Sequence, residues 1–518
     1  MASPVLDIRG LEQVAIILFA GVVGARIAEE FRIPIIIPLL ITGYILGPEL
    51  LGIFDPASLG LSLSFLVVLL IPVILFNESI RTDSRRLMEV KVSVLLLVTL
   101  GVAISTVATG LLYSGIFGGS LLLALLLGAV LSPTDPAAVT ALTKKLRIDE
   151  SIATIAEAES ALNDATAIIL TEMLAASVLG EMLDVQGAVL EFALLFFGGL
   201  FVGFAIAVVI REVVLRLELE EHMVYISLAT FVVVYLAAEA VGVSGPTALV
   251  SAGITLGGFL RSLRIRHREN VLAAWENIAF IAQAVIFLVL GASMSLRALA
   301  DVAIQAFVLL ALLCLLVRPL TVTIGLAPTR GFNFGEVALL SVLGAKGAVT
   351  AGLGAYLLGL GVPRAKEMFN LVLVIIFLTM IFSSILAEPL ARRFAETRIA
   401  ERGVREYYEL VADYYSSICA LRELEEMHHR GRVDPVLYER AKRKLVEELE
   451  RVRGRLSKIH SDPRYSALVR SRERALLADL AKARIDSLRE LLERGLIDEA
   501  TYRRKLEEFL EVLEGEYE

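Results

Sequence analysis

Two short runs place carboxylates inside stretches otherwise apolar enough for a lipid bilayer: Ser132-Pro133-Thr134-Asp135-Pro136-Ala137 and Glu159-Ser160-Ala161-Leu162-Asn163-Asp164. A charge in hydrocarbon costs at least about 2.5–3.5 kcal/mol, so such residues mark function by default. Thr134 and Asp135 offer the oxygen ligands that a hard monovalent cation needs. On a helix, Ser160 and Asp164 share a face, and Glu159 with Asn163 forms the neighbouring stripe. Two cations lie in equally apolar surroundings, Arg318 in Leu316-Val317-Arg318-Pro319-Leu320 and Lys346. Buried charges pair or face a cavity, so Glu159 and Arg318 are expected to form a structural ion pair. Asp164 is then left unpaired beside Asn163, Ser160, Thr134 and Asp135. A bare buried carboxylate is costly, whereas a proton or a cation neutralises it. The two ligands therefore compete for one group, which is the logic of exchange. Asn rather than a second Asp at position 163 removes one charge from the cycle, so electroneutral one-for-one exchange is expected.

These residues need unusual elements to position them. Two prolines three apart cannot sit in an unbroken helix, because each removes an amide donor and clashes one turn back. The segment Ser120–Leu142 is therefore expected to break at Pro133-Thr134-Asp135-Pro136, with Asp135 capping the half-helix that follows. In Phe334–Leu358, the run Gly344-Ala345-Lys346-Gly347-Ala348-Val349-Thr350-Ala351-Gly352-Leu353-Gly354 surrounds a lysine with helix-weakening glycines. We read about thirteen apolar spans between Leu11 and Ala387, in which these two are the fifth and the twelfth. Six spans before and six after a linking seventh form an inverted repeat, and interrupted segments at matching positions point to a transporter's binding site.

The chain has 518 residues, 57% of them hydrophobic, and a mean hydropathy of +0.74. That average hides a membrane domain, 1–392, and a charged helical domain, 393–518. The fold class is an all-α polytopic membrane protein with a soluble helical tail. Arg and Lys collect in alternate connections: Arg26 and Arg32; Arg81, Arg85, Arg86 and Lys91; Lys144, Lys145 and Arg147; Arg211 and Arg216; Arg261, Arg264, Arg266 and Arg268; Arg330; Arg392 and Arg393. Cytoplasmic loops carry this excess, which places the N-terminus outside and the tail in the cytoplasm. The intervening connections hold only Arg9, Arg297, Arg364 and Lys366. Met1–Gly10 lacks the basic start and cleavage site of a removable leader. In the tail, the run from His429 to Tyr438 resembles the run from Glu493 to Tyr502, with Gly431 and Gly495 as helix stops and Asp434 and Asp498 as N-caps. Leu445 and Leu449 match Phe509 and Leu513, so two related helical hairpins are expected. Cys314 and Cys419 form no framework or metal cluster. His222, His267, His428, His429 and His460 fall in loops or the tail, so proton coupling rests on carboxylates. No nucleophile and base set suggests an enzyme, and no cofactor or nucleic-acid partner is implied. A channel would need rings of repeated polar residues rather than one titratable site.

On Thr134-Asp135-Pro136, Glu159-Ser160, Asn163-Asp164, Arg318 and the glycine-rich twelfth span, the chain resembles the cation/proton antiporter superfamily, in its electroneutral sodium/proton branch. The resemblance covers roughly Leu11 to Leu390. It implies a thirteen-span fold whose core domain moves against a dimerisation domain, and a plasma-membrane homodimer in contact with lipid. It also implies Na+ or Li+ exchanged for H+ at Asp164, with Thr134, Ser160 and Asp135 around the ion, and pairing of Glu159 with Arg318. Two positions depart from the pattern. Where the family often has an acid directly after Leu-Phe, this chain has Asn77, and Glu78 follows about 100° further round a helix. Lys346 stands where Arg is common. Asn77 keeps exchange of K+ for H+ open as an alternative.

Overall fold

The computed structural model describes residues 8–31, 33–55, 63–146, 150–180, 185–263, 265–327 and 334–461, with residues 492, 498, 499, 501, 502, 504 and 505 of the tail. Among these the regular structure is helical throughout. The chain opens with α1 (Ile8–Phe31) and the short α2 (Ile36–Leu46). Next come α3 (Leu63–Arg81), α4 (Ser84–Glu89) and α5 (Lys91–Leu96), which passes through a π-helical turn at Leu97–Gly101 into α6 (Val102–Phe117). The halves α7 (Leu121–Val130) and α8 (Pro136–Leu146) form the first interrupted helix. Five further helices are α9 (Glu150–Val178), α10 (Val185–Arg216), α11 (Met223–Ala240), α12 (Gly245–Leu260) and α13 (Ile265–Ala292). A second π-helical turn, Leu313–Val317, joins α14 (Leu296–Leu312) to α15 (Arg318–Leu326). The halves α16 (Phe334–Val342) and α17 (Ala348–Gly359) form the second interrupted helix, and α18 (Ala365–His429) and α19 (Pro435–Ser461) follow.

Seven stretches among the described residues are long and apolar enough to cross a membrane. Four others, α2, α7, α12 and α17, are apolar but short. Contacts divide the chain into two compact units, Met1–Arg392 and Arg393–Glu518. In the first unit small residues let backbones meet, as in many membrane bundles. A Cβ at Gly253 would lie 2.6 Å from the Ser79 Cβ, so α12 crosses α3 with almost no space between them. Phe76, Phe231 and Trp275 pack as an aromatic cluster beside this crossing, and the Trp275 indole donates to Ser227 Oγ at 2.9 Å.

Lys91–Phe117 and Leu296–Leu326, the fourth and eleventh apolar spans in chain order, each contain a π-helical turn. At the second, Pro319 directly follows Arg318 at the start of α15; its missing amide loosens the ladder there. The apolar part of α18 is Ala365–Ala391, and the helix itself continues through Pro389 to His429, because helix-forming Glu, Arg and Ala follow the proline.

In the second unit, Gly431 adopts φ +66° and ends α18, while Asp434 caps α19 by accepting from the Val436 amide at 2.8 Å. Leu410 and Val452 are buried between the two helices with Tyr407, Tyr414 and Leu456 around them. Asp498 accepts from the Thr501 amide at 3.0 Å, as an N-cap does. Gly495, Phe509 and Leu513 lie outside the described residues, as do Arg32, Arg147, Arg264 and Arg330 and the side chains of Arg9, Lys144, Lys145, Arg266, Arg392 and His460.

Candidate ion-binding site

The two interrupted helices meet at their breaks. The Asp135 amide donates to the Ala345 carbonyl at 2.8 Å, so each break satisfies a backbone group of the other. Gly347 lies against the Asp135 side chain, and a Cβ there would stand 2.5 Å from the Asp135 Cβ. Only a residue without a side chain permits that approach. Asp135 caps α8, with Oδ1 accepting from the Ala137 amide at 3.3 Å. Both following halves, α8 and α17, thus turn their N-termini, the positive ends of their dipoles, toward one point.

The C-terminal ends of the preceding halves each receive a cation. Lys346, 1% exposed, donates from Nζ to the Ser132 carbonyl at 3.3 Å, just beyond α7. Arg318 donates from Nη2 to the Leu340 carbonyl of α16 at 3.3 Å. Its Nη1 lies 2.6 Å from Glu159 Oε1, and Nη2 lies 3.3 Å from Oε2, so a two-pronged pair joins α15 to α9. The side chains in this pair are 9% and 5% exposed. Gly344 makes room for it, since a Cβ there would meet Arg318 Nε at 2.6 Å.

Between the breaks lies a cavity of ≈ 10 Å³, lined by Ile74, Glu78, Thr134, Asp135, Asp164 and Thr350 among others. That is room for about one water molecule or one dehydrated cation. Three lining atoms have no hydrogen-bond partner among the described residues: Glu78 Oε2, Asp164 Oδ1 and Thr350 Oγ1. Buried oxygens in that condition are costly unless a proton or cation reaches them.

Several expectations change in detail. Glu78, an accessory candidate together with Asn77 and Lys346, lines the cavity. The face of α3 presented there is the stripe of Ile74 and Glu78, four apart. Asn77 belongs to the adjacent stripe and accepts from Arg81 Nε at 3.3 Å. Ser160 and Asn163 are not part of the cavity wall. Thr134 Oγ1 donates to Ser160 Oγ at 2.9 Å and accepts from Asn163 Nδ2 at 2.8 Å, while Ser160 Oγ donates to the Thr134 carbonyl at 2.8 Å. These two side chains hold the first break in place. Lys346 is likewise absent from the wall. Thr350 went unnoticed in the sequence, although a hydroxyl in the first turn after a glycine break was the available signal.

The fold and the site are those of a multi-pass membrane protein with crossed half-helices around a buried acidic cavity. Residues 14–393 match the family described as sodium/hydrogen exchanger, transmembrane, and the chain belongs to that family. It is 32% identical over 298 residues to the Na+/H+ antiporter ApNhaP of Aphanothece halophytica, covering 56% of each chain. It is 28% identical over 373 residues to the K+/H+ antiporter NhaP2 of Shewanella sp. (strain MR-4), covering 71% of this chain and 64% of that one. The matched region thus spans less than two thirds of either relative. The fold is shared with the sodium proton antiporter MjNhaP1 of Methanocaldococcus jannaschii, solved at pH 8, with a TM-score of 0.66. That match covers 74% of this chain and 97% of the other at 22% identity.

Proposed function

We propose that this chain is an electroneutral antiporter that exchanges one Na+ or Li+ for one H+ by alternating access. The observation that carries the reading is the cavity in which oxygens of Glu78, Asp164 and Thr350 lack partners among the described residues. Asp164 is the group at which proton and cation compete, Thr134 and Asp135 complete the shell, and Glu78 keeps one protonation state through the cycle. Glu159 and Arg318 hold α9 to α15, and Ser160 and Asn163 hold Thr134. Thirteen spans, an inverted repeat, a homodimer in the plasma membrane, an outside N-terminus and a cytoplasmic domain over 393–518 belong to the same proposal. The repeat is supported by matched breaks in the fifth and twelfth spans and matched π-helical turns in the fourth and eleventh. The orientation is supported at one end of the bundle. There Arg261 donates to the Arg81 and Thr82 carbonyls and Arg81 pairs with Glu276 at 2.9 Å, so basic connections gather together.

A second reading, K+ for H+, is favoured by the names of the relatives that match 71% of this chain. Proton flux in proteoliposomes given Na+, Li+ and K+ in turn separates the two. The first reading expects saturable flux with Na+ and Li+, unaffected by an imposed voltage and absent in Asp164→Asn. Full activity in that variant, or currents far above carrier turnover, overturns it.

A further inference from the structure

A second, much larger crevice of ≈ 850 Å³ opens between α5, α9, α10 and α12. Its wall is mostly apolar. The hydroxyls of Ser251, Thr255 and Ser262 are turned onto the Leu200, Ser251 and Phe259 carbonyls at 2.7–2.8 Å, so they offer little to a polar guest. What remains is concentrated at one end, where Lys91 begins α5 and Arg211 lies near the end of α10. No carboxylate lines the crevice, and among the described residues neither cation has an ion pair. The Arg211 guanidinium lies 6.0 Å from the Phe259 ring centroid, at the edge of cation–π range. From this basic mouth the trough runs inward to Phe196, about 22 Å along α10 at the helical rise. Leu162, the residue before Asn163, forms part of its inner wall.

Two uncompensated cations repel an incoming metal ion, so this crevice does not suit a cation's path. A narrow apolar trough with a doubly positive mouth fits a molecule with a long hydrocarbon chain and a net negative head. We propose that the crevice is a binding site for one anionic phospholipid. Its phosphate lies between Lys91 and Arg211, and one acyl chain lies along Leu200 toward Phe196. The mouth lies in the cytoplasmic leaflet of the orientation proposed above. A lipid seated there lies against Leu162 of α9, which carries Asn163 and Asp164, and against α10 and α12, so its occupancy bears on how those helices move past each other.

The test uses the full chain purified in detergent, exchanged into mixed micelles containing phosphatidylglycerol, phosphatidylcholine or oleate. Bound lipid is counted by native mass spectrometry, and the unfolding midpoint is followed in parallel. Phosphatidylglycerol is expected to be retained and to raise the midpoint, with phosphatidylcholine retained about tenfold less. Lys91→Gln with Arg211→Gln is expected to abolish that preference; both side chains are exposed, so the fold tolerates the change. Leu200→Trp, which fills the trough, is expected to expel the lipid with the cations intact, and Phe196→Leu leaves it bound. Equal retention of phosphatidylglycerol and phosphatidylcholine overturns the proposal. So does retention unchanged in the double variant, or oleate held as tightly as phosphatidylglycerol. Each readout is independent of ion exchange, so a failed antiport reading and a failed lipid site are told apart.

Discussion

The break after α7 and the break after α16 do the same geometric work with opposite chemistry. The first is made by Pro133 and Pro136, which cannot donate to a helical ladder. The second is made by Gly344 and Gly347, whose missing side chains admit Arg318 and Asp135. Proline interrupts by what it forbids, so it leaves room for a capping carboxylate, Asp135, and a hydroxyl, Thr134. Glycine interrupts by what it lacks, so that break receives its neighbours instead of presenting groups of its own. The pair teaches that one half of the site supplies ligands and the other supplies space and a helix N-terminus. Each half also has its own cation at a carbonyl end, Lys346 for the first and Arg318 for the second.

This contrast can be broken experimentally. The largest effect is expected for Asp164→Asn, which removes the cavity carboxylate whose Oδ1 has no partner among the described residues; proton flux in proteoliposomes should fall to the protein-free level. The two cations should differ next. Arg318→Ala leaves Glu159 buried without its partner and should destabilise the chain by about 3–5 kcal/mol. Lys346→Gln loses one charged hydrogen bond, worth about 1.5–3 kcal/mol. Unfolding midpoints in detergent rank them, and equal losses would erase the distinction drawn between the breaks. Gly347→Ala forces a Cβ onto Asp135 and should cost about 1–3 kcal/mol by overpacking. Gly354→Ala, whose Cβ would meet Val372 at 3.3 Å, should cost far less. Glu78→Gln should raise the cation concentration for half-maximal flux by about tenfold, equivalent to ~1.4 kcal/mol, whereas Asn77→Asp should leave it nearly unchanged.

The smallest effect concerns the connection between α3 and α5, outside the membrane. Burial works against the charge of Asp83, but the Arg85 amide and the Arg261 guanidinium outweigh it and hold its carboxyl below the usual range. A lowered carboxyl stabilises the fold above its unfolded value and loses that contribution as pH falls through the folded value. Asp83→Asn should therefore cost about 1 kcal/mol or less between pH 5 and 8, and the difference from wild type should vanish under strong acid. Thermal unfolding across pH checks this, and a difference that grows toward acid would reverse the assigned sign.

Much of this architecture was legible in one dimension. The proline spacing located the first break because a missing amide is a local property. The glycine run located the second, and two charges in apolar segments implied that Glu159 meets Arg318, because neither is tolerable alone. Other features depended on how helices rotate and cross. Nothing local tells Ser160 and Asn163 to turn toward Thr134, or shows that the Glu78 stripe of α3 faces the cavity. Thr350 gains meaning only because α17 begins at that cavity, and Lys346 only because Ser132 leaves a carbonyl within its reach. Composition and backbone chemistry settle which residues are too costly to bury unpartnered and where a helix must stop. Packing settles which partner each one meets, because a rotation of one residue about a helix axis exchanges the group that faces the site for its neighbour.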